Sequence, residues 1–246
     1  KGSFFLVIRL WLDVMPGIVT TAAAQLLAGL GAAAILVGNV VALRQERLKL
    51  LIAYSTIAQI GYLFLMFPLV AGLAAMQLPT GSTVTGGMLQ AVSHATAKAA
   101  MFMGAGLIYA TLGHDRIADL QGVGRQLPMT MLAFALAGAS LIGLPPAGGF
   151  LAKWLLLTAA LTTGQWWWAA TMLIGGLLTS CYVFIVLVRA MAAVDPPLTP
   201  KMPVPRDREA VVLALAGVSF LLGLAAFLPV DVVQIGRQGL LPVGWP

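Results

Sequence analysis

Charged side chains are scarce in this chain of 246 residues: eight acidic and fourteen basic ones make up 9% of the sequence, where a soluble domain carries about 25%. With 60% hydrophobic residues and a mean hydropathy of +0.97, a water-soluble globular domain is excluded. The composition is that of a polytopic membrane protein embedded in a lipid bilayer. There is one cysteine, Cys181, in an apolar run, so the chain offers neither an internal disulfide nor a thiolate metal site. It has no HExxH motif, no pair of intramembrane aspartates and no serine–histidine pair in a protease-like setting. The 27 glycines form no P-loop or Rossmann fingerprint. Haem ligation by two axial histidines would have to use His114, which lies in a connection between apolar runs. No catalytic centre, cofactor or metal of its own is therefore expected. The net charge of +6 does not point to nucleic acid, because the basic residues stand singly between apolar runs instead of forming a patch.

The apolar runs order the chain. Residues 2–12 are too short to span, no signal-peptide pattern is present, and Lys1 stands where a methionine would open a chain; the segment reads as the end of a helix in a longer polypeptide. Pro16 and Gly17 open the run Gly17 to Leu43, whose alanines and glycines allow close helix packing. The run Leu50 to Ala75 carries Ser55, Gln59 and Tyr62 on one face at helical spacing. Val84 to Leu112 follows, and then a stretch of 36 residues, Pro128 to Thr163, interrupted by GLPPAGG at Gly143–Gly149. Gln165 to Val188 is led by Trp166, Trp167 and Trp168, which suit an interfacial belt. Ala210 to Phe227 is the last expected span, with a peripheral tail after Pro229.

The interruption around Pro145 and Pro146 is either a turn between two spans or a break within one, and charge parity separates the two. With one broken crossing, the connections 44–49, 113–127 and 189–209 share a side, which then holds nine basic residues against Arg9 and Arg237. With two crossings the counts become five and six. The positive-inside rule favours a single discontinuous helix and puts the basic connections in the cytoplasm. Broken helices at membrane depth occur where they line a cavity or are buried in protein.

Two lysines and a histidine stand inside the spans. In QAVSHATAKAAMFMGAG, Gln90 to Gly106, His94 and Lys98 are four residues apart on one helical face, and Gln90 extends the stripe by a turn. A charge at the bilayer centre costs roughly 2.5–3.5 kcal/mol even on lenient insertion scales, so such residues turn inward and mark ion or proton pathways. Lys153 follows Gly149 by four residues, early in the second half of the broken stretch. All eight acidic residues are in connections or at span ends, so no carboxylate is placed to neutralise these lysines. Two cations at about 10 Å repel by about 1.7 kcal/mol at an effective dielectric of 20, and protonating one then drives release from the other. The bland readings are lysines that snorkel to the interface, more readily at Lys153 than at Lys98, and a histidine that only packs. On the same footing, Ser55, Gln59 and Tyr62 either bond neighbouring helices or line a water path.

Three segments carry a family resemblance: LKLLIAYSTIAQIGY (Leu48–Tyr62), SHATAKAAMFMGAG (Ser93–Gly106) and LIGLPPAGGFLAKW (Leu141–Trp154). They resemble motifs of the antiporter-like proton-translocating subunits of respiratory complex I, membrane-bound hydrogenases and Mrp-type cation/proton antiporters. The last motif is most similar to the D-type subunit of the Mrp antiporters. The resemblance implies an all-α bundle built on five-helix repeats and a proton path of buried charged residues. Lys98 then corresponds to the central lysine of the second repeat and His94 to its neighbour. Lys153 matches the lysine of the broken helix near Pro145, Pro146, Gly148 and Gly149, and Lys1 the lysine linking two halves. It implies one repeat over 17–192, preceded by a helix end at 1–12 and followed by a connection at 193–209 and a last helix and tail at 210–246. The first repeat, with its glutamate–lysine pair and inlet half-channel, has no counterpart in this sequence. The implied setting is a bacterial inner membrane, with other membrane subunits as partners and protons, or sodium and protons, as the ions moved. The readings left open are a Mrp-type subunit, a pumping subunit of an NADH:quinone oxidoreductase or hydrogenase, a structural brace and an autonomous solute carrier.

Overall fold

The computed structural model describes residues 2–15, 20–196 and 198–224. Lys1, Pro16, Gly17, the end of the last expected span and the tail lie outside them. Every described element is helical, and several helix ends are legible in the sequence. Helix α1, Gly2–Arg9, runs into a π-helical turn, Leu10–Val14, in which Arg9 pairs with Asp13 at 2.9 Å. Helix α2, Thr21–Leu43, is capped by Thr20, whose hydroxyl accepts from the Ala23 amide at 3.2 Å. Helices α3, Leu48–Phe64, and α4, Met66–Ala75, form one apolar path broken at Leu65. Pro68 has no N–H to offer the Phe64 carbonyl four residues earlier, so the ladder lapses there.

Helix α5, Gly81–Leu112, is 32 residues long and ends on Gly113 at φ +79°. After a 3-10 turn, Ile117–Asp119, and the single turn α6, Val123–Gln126, helix α7 covers Pro128–Ile142, with Pro128 in its first turn. Gly143 ends α7 at φ +92°, and α8, Gly148–Thr162, starts on the other side of the turn that Gly143 opens. Helix α9 is Trp166–Met191 and α10 is Arg206–Leu221, with Asp207 and Glu209 in its first turn, where the helix dipole favours acid. Trp166 and Trp167 are exposed at the start of α9, but Trp168 turns inward and donates to the Gln25 side chain at 3.1 Å.

Among the described residues, four paths are long and apolar enough to cross a membrane: Thr21–Leu43, Leu48–Ala75, Gly81–Leu112 and Trp166–Met191. Helices α7 and α8 are shorter and also apolar. They meet α5 in succession. Thr130 lies at Gly104, Ser140 and Gly148 lie at Ser93, and Ala152 and Leu155 lie at Gly86, so the contact descends α5 steadily as the α7–α8 path advances.

The three basic connections meet at one end of the bundle. The Ile117 amide donates to the Glu46 carbonyl at 2.8 Å and the Leu48 amide to the Asp115 carbonyl at 2.7 Å. The Lys201 amide donates to Thr111 at 2.8 Å, and the Gly122 amide to Ala192 at 2.9 Å. Small residues set the close approach of α2 on α3: a Cβ on Gly38 would meet the Ala58 amide at 2.7 Å.

Candidate functional site

Helix α3 is the rail of the polar interior. Ser55, Gln59 and Tyr62 are fully buried on its inward face, as their spacing predicts. At one level Lys98, buried on α5, donates to the Ile52 carbonyl at 2.9 Å and to the Ser55 hydroxyl. A turn along α3, the Gln59 amide donates to the Leu141 carbonyl at 3.2 Å and lies 3.5 Å from the Thr179 hydroxyl. Gln90 donates to the Gln59 carbonyl oxygen at 3.0 Å, so α5 touches this rail twice. His94 is buried on α5 between those two contacts.

A turn further, the Tyr62 hydroxyl donates to the Met172 carbonyl at 3.1 Å, and Lys153 Nζ stands 4.2 Å from the centre of the Tyr62 ring. Lys153 also donates to the carbonyls of Leu141 at 2.6 Å and Ile142 at 3.2 Å. Those carbonyls belong to the last turn of α7, which has no helical donors left and carries the negative end of the helix dipole. The break thus supplies acceptors for a cation, and a cation borne by α8 takes them. From Ser55 to Tyr62 the rail rises about 10 Å.

The sequence-derived residues Lys98 and Ser55 therefore form one contact on the inward face of α3, and Gln59, Gln90, Tyr62 and Lys153 gather in a second group around the Leu141 carbonyl, with His94 buried on α5 between them. Lys1 is outside the described residues. Pro145 and Pro146 are exposed in the turn, whereas Gly148 and Gly149 are buried. The Gly149 amide donates to the Ser140 hydroxyl at 3.3 Å, and a side chain at Gly149 would run into the Ser140 carbonyl. His114 lies in the connection, as expected. Two acidic residues among those described are buried, Asp115 and Glu209, and both are held at helix ends: Asp115 by the Lys49 amide at 3.3 Å and Arg47 at 4.0 Å, Glu209 by the Thr130 amide and hydroxyl, each at 2.9 Å. Neither touches Lys98 or Lys153 in a described ion pair.

Three interior residues were not singled out from sequence. Asn39 on α2 is buried, donates to the Ile35 and Gly175 carbonyls and accepts from the Thr179 hydroxyl at 3.1 Å. Thr179 thereby extends the Gln59 node toward α2. The Tyr182 hydroxyl is buried and faces Thr179, Ser55 and Gln59 without a well-formed hydrogen bond to any of them. An amide in an apolar helix, and a Thr–Tyr pair three apart on one face, were the available signals. Among the described residues no three histidine, cysteine, aspartate or glutamate side chains converge to hold a metal.

The fold and this interior define an integral membrane protein with several transmembrane helices around a polar core. Residues 1–179 match the family model for the NADH:quinone oxidoreductase/Mrp antiporter transmembrane region, and the chain belongs to that family. It is 36% identical over 166 residues to an NADH-quinone oxidoreductase subunit N of Desulforudis audaxviator, covering 68% of this chain and 31% of that one. It is 33% identical over 143 residues to a Na(+)/H(+) antiporter subunit of Alkalihalophilus pseudofirmus, covering 54% of this chain and 17% of the relative. A chain of the Mrp complex from Dietzia sp. DQ12-45-1b superposes with a TM-score of 0.80 at 22% identity, covering 96% of this chain and 50% of that one. This chain thus spans half or less of each of these proteins.

Proposed function

We propose that this chain is the second half-channel of an antiporter-like, proton-translocating membrane subunit. The observation that carries the proposal is the placement of two polar groups along one face of α3, Lys98 with Ser55 and then Gln59 with the Leu141 carbonyl and Lys153. Protons move along that face between Lys98 and Lys153, with His94 as the neighbouring exchange group and the Tyr182 hydroxyl, or water against it, closing the step from Ser55 to Gln59. Charge on one lysine disfavours charge on the other, so each transfer promotes the next. Both lysines end on backbone carbonyls inside the bundle, which favours transport over the reading as a passive brace.

In this reading α7 and α8 are one crossing interrupted at Gly143–Ala147, supported by their successive contacts along α5 and by the meeting of all three basic connections at one end. The crossings α2, α3–α4, α5, α7–α8 and α9 then make one five-helix repeat over 17–192, and α10 follows it. The end that gathers the basic connections faces the cytoplasm of a bacterial inner membrane. Lys1, which lies outside the described residues, is assigned to the link with a first repeat on the motif resemblance alone.

The relatives fall on both branches of the family, so the complex is identified by its other members. A Mrp-type cation/proton antiporter is our first reading, on the form of the Leu141–Trp154 motif; its companions are small membrane subunits. Iron–sulfur and flavin proteins co-purifying with the chain would instead make it a subunit of a redox-driven pump. Transport itself is tested with the native complex in sealed vesicles carrying a pH-sensitive dye. Lys98→Ala and Lys153→Ala are each expected to abolish proton movement while the complex still assembles. Wild-type rates in both would sink the mechanism.

A further inference from the structure

Helix α10 lies beyond the residues matched by the family model, yet it touches both halves of the interrupted α7–α8 path. At its start the buried Glu209 carboxylate accepts from the Thr130 amide and the Thr130 hydroxyl, each at 2.9 Å. Thr130 is in the first turn of α7, where amides have no helical acceptor, so Glu209 acts as a cap supplied by another helix. Ten residues on, the Ser219 hydroxyl lies 2.9 Å from the Ser140 hydroxyl and donates to the Ser93 carbonyl at 2.9 Å. Thr130 and Ser140 are also ten residues apart, so α10 runs parallel to α7 in register, two matched rungs about 15 Å apart.

The last turn of α10 then overhangs the end of α7. A Cβ on Gly148 would meet Leu222 Cβ at 2.9 Å and the Ser219 carbonyl at 3.1 Å, and one on Gly223 would run into the backbone of Pro146 and Ala147. Ser140 is the joint. Its hydroxyl meets Ser93 of α5 at 2.8 Å, meets Ser219 of α10, and accepts from the Gly149 amide at the start of α8. One buried cluster of three hydroxyls therefore ties α5, α7, α8 and α10 at the break.

We infer that α10 is a splint across the interruption and that Glu209 and Ser219 are positioning residues for Lys153. Lys153 is carried by α8, but its acceptors, the Leu141 and Ile142 carbonyls, belong to α7. The distance between donor and acceptors is thus set by how the two short helices are held relative to each other. That relationship is held from outside, by a helix that contributes no side chain to either polar group. The inference rests on the proton-path reading for its functional consequence, but its structural content stands apart from it.

The experiment uses the intact complex with Ser219→Ala, Glu209→Ala and Glu209→Gln, and Thr158→Ala on the exposed face of α8 as the control. Amide exchange by mass spectrometry and proton transport are measured on the same preparations. Ser219→Ala is expected to speed exchange in residues 143–153 and slow transport, each by about tenfold. Glu209→Ala is expected to speed exchange at 128–131 and to slow transport, and Glu209→Gln to recover most of both, because its amide oxygen still accepts from Thr130. The control should leave both unchanged. Wild-type exchange in the assembled Ser219→Ala and Glu209→Ala complexes overturns the splint. Faster exchange with undiminished transport overturns the positioning of Lys153. If Lys153→Ala transports like wild type, the proton path fails instead, and the exchange data still decide the splint.

Discussion

Gln59 and Lys153 donate to the same acceptor, the Leu141 carbonyl, at 3.2 and 2.6 Å. One residue comes from α3 and the other from α8, and the carbonyl is available only because α7 stops one residue later. A continuous helix would have used that oxygen for its own ladder. The end of α7 therefore creates a junction at which Gln59 of α3 and Lys153 of α8 meet on one oxygen.

Gln59→Leu should separate transport from stability. It removes the donor to Leu141 and also strips the acceptor from the Gln90 amide, held at 3.0 Å in a buried setting. Leaving that amide unsatisfied costs about 1–3 kcal/mol, whereas replacing both partners by apolar groups is close to neutral. Thermal unfolding of the purified complex is expected to show Gln59→Leu as destabilised and Gln59→Leu with Gln90→Leu as largely recovered. Proton transport should stay low in both, and recovery of transport in the double variant would mean that the amides only pack.

The contact between Lys98 and Ser55 has a backbone alternative in Ile52 O at 2.9 Å. Ser55→Ala keeps Lys98 anchored but deletes the hydroxyl that leads on toward Gln59. Transport is expected to fall by about tenfold without vanishing, against the complete loss in Lys98→Ala. Equal rates for Ser55→Ala and wild type would remove Ser55 from the path.

Tyr62 and Tyr182 are both buried, yet their hydroxyls differ. Tyr62 donates to the Met172 carbonyl at 3.1 Å, and Tyr182 has no well-formed bond. Tyr62→Phe should cost about 1 kcal/mol of stability, the net value of an ordinary hydrogen bond, while leaving the ring against Lys153. Tyr182→Phe should leave the unfolding temperature unchanged and slow proton transport severalfold. A loss of stability without a loss of rate at Tyr182 would make it a packing residue.

The four long apolar paths, the turn at Gly143 and the inward face of α3 were legible because each follows from local rules: apolar length, glycine and proline chemistry, and helical spacing. Charge parity grouped the basic connections that the fold brings to one end. Lys98, His94 and Lys153 stood out because ionised groups in apolar runs are costly. The carbonyl junction at Leu141 was not legible, since any apolar residue presents the same backbone oxygen and only tertiary placement of the break exposes it. Tyr182 and Thr179 were passed over for a related reason: hydroxyls are common in membrane helices, and nothing in α9 alone distinguishes an inward one. Glu209 read as a span-end acid, whereas its partner, Thr130, lies 79 residues away in sequence.

Close packing of α2 on α3 gives a prediction independent of transport chemistry. A Cβ on Gly38 would meet Ala58 N at 2.7 Å and Ala58 Cα at 3.2 Å, both groups that cannot rotate away. Asn39, the next residue, bonds to the Gly175 carbonyl and to Thr179, so a shift of α2 also pulls on the Gln59 node. Gly38→Ala is therefore expected to destabilise by about 1–3 kcal/mol, the usual cost of overpacking, and to lower transport with it. Gly29, on the same helix, faces outward, and a Cβ there would meet nothing within 4 Å. Gly29→Ala should leave both unfolding temperature and transport unchanged. If the two substitutions behaved alike, the α2–α3 contact would be too loose to hold the two polar groups in place, and the placement of Asn39 and Thr179 beside Gln59 would have to come from α9 alone.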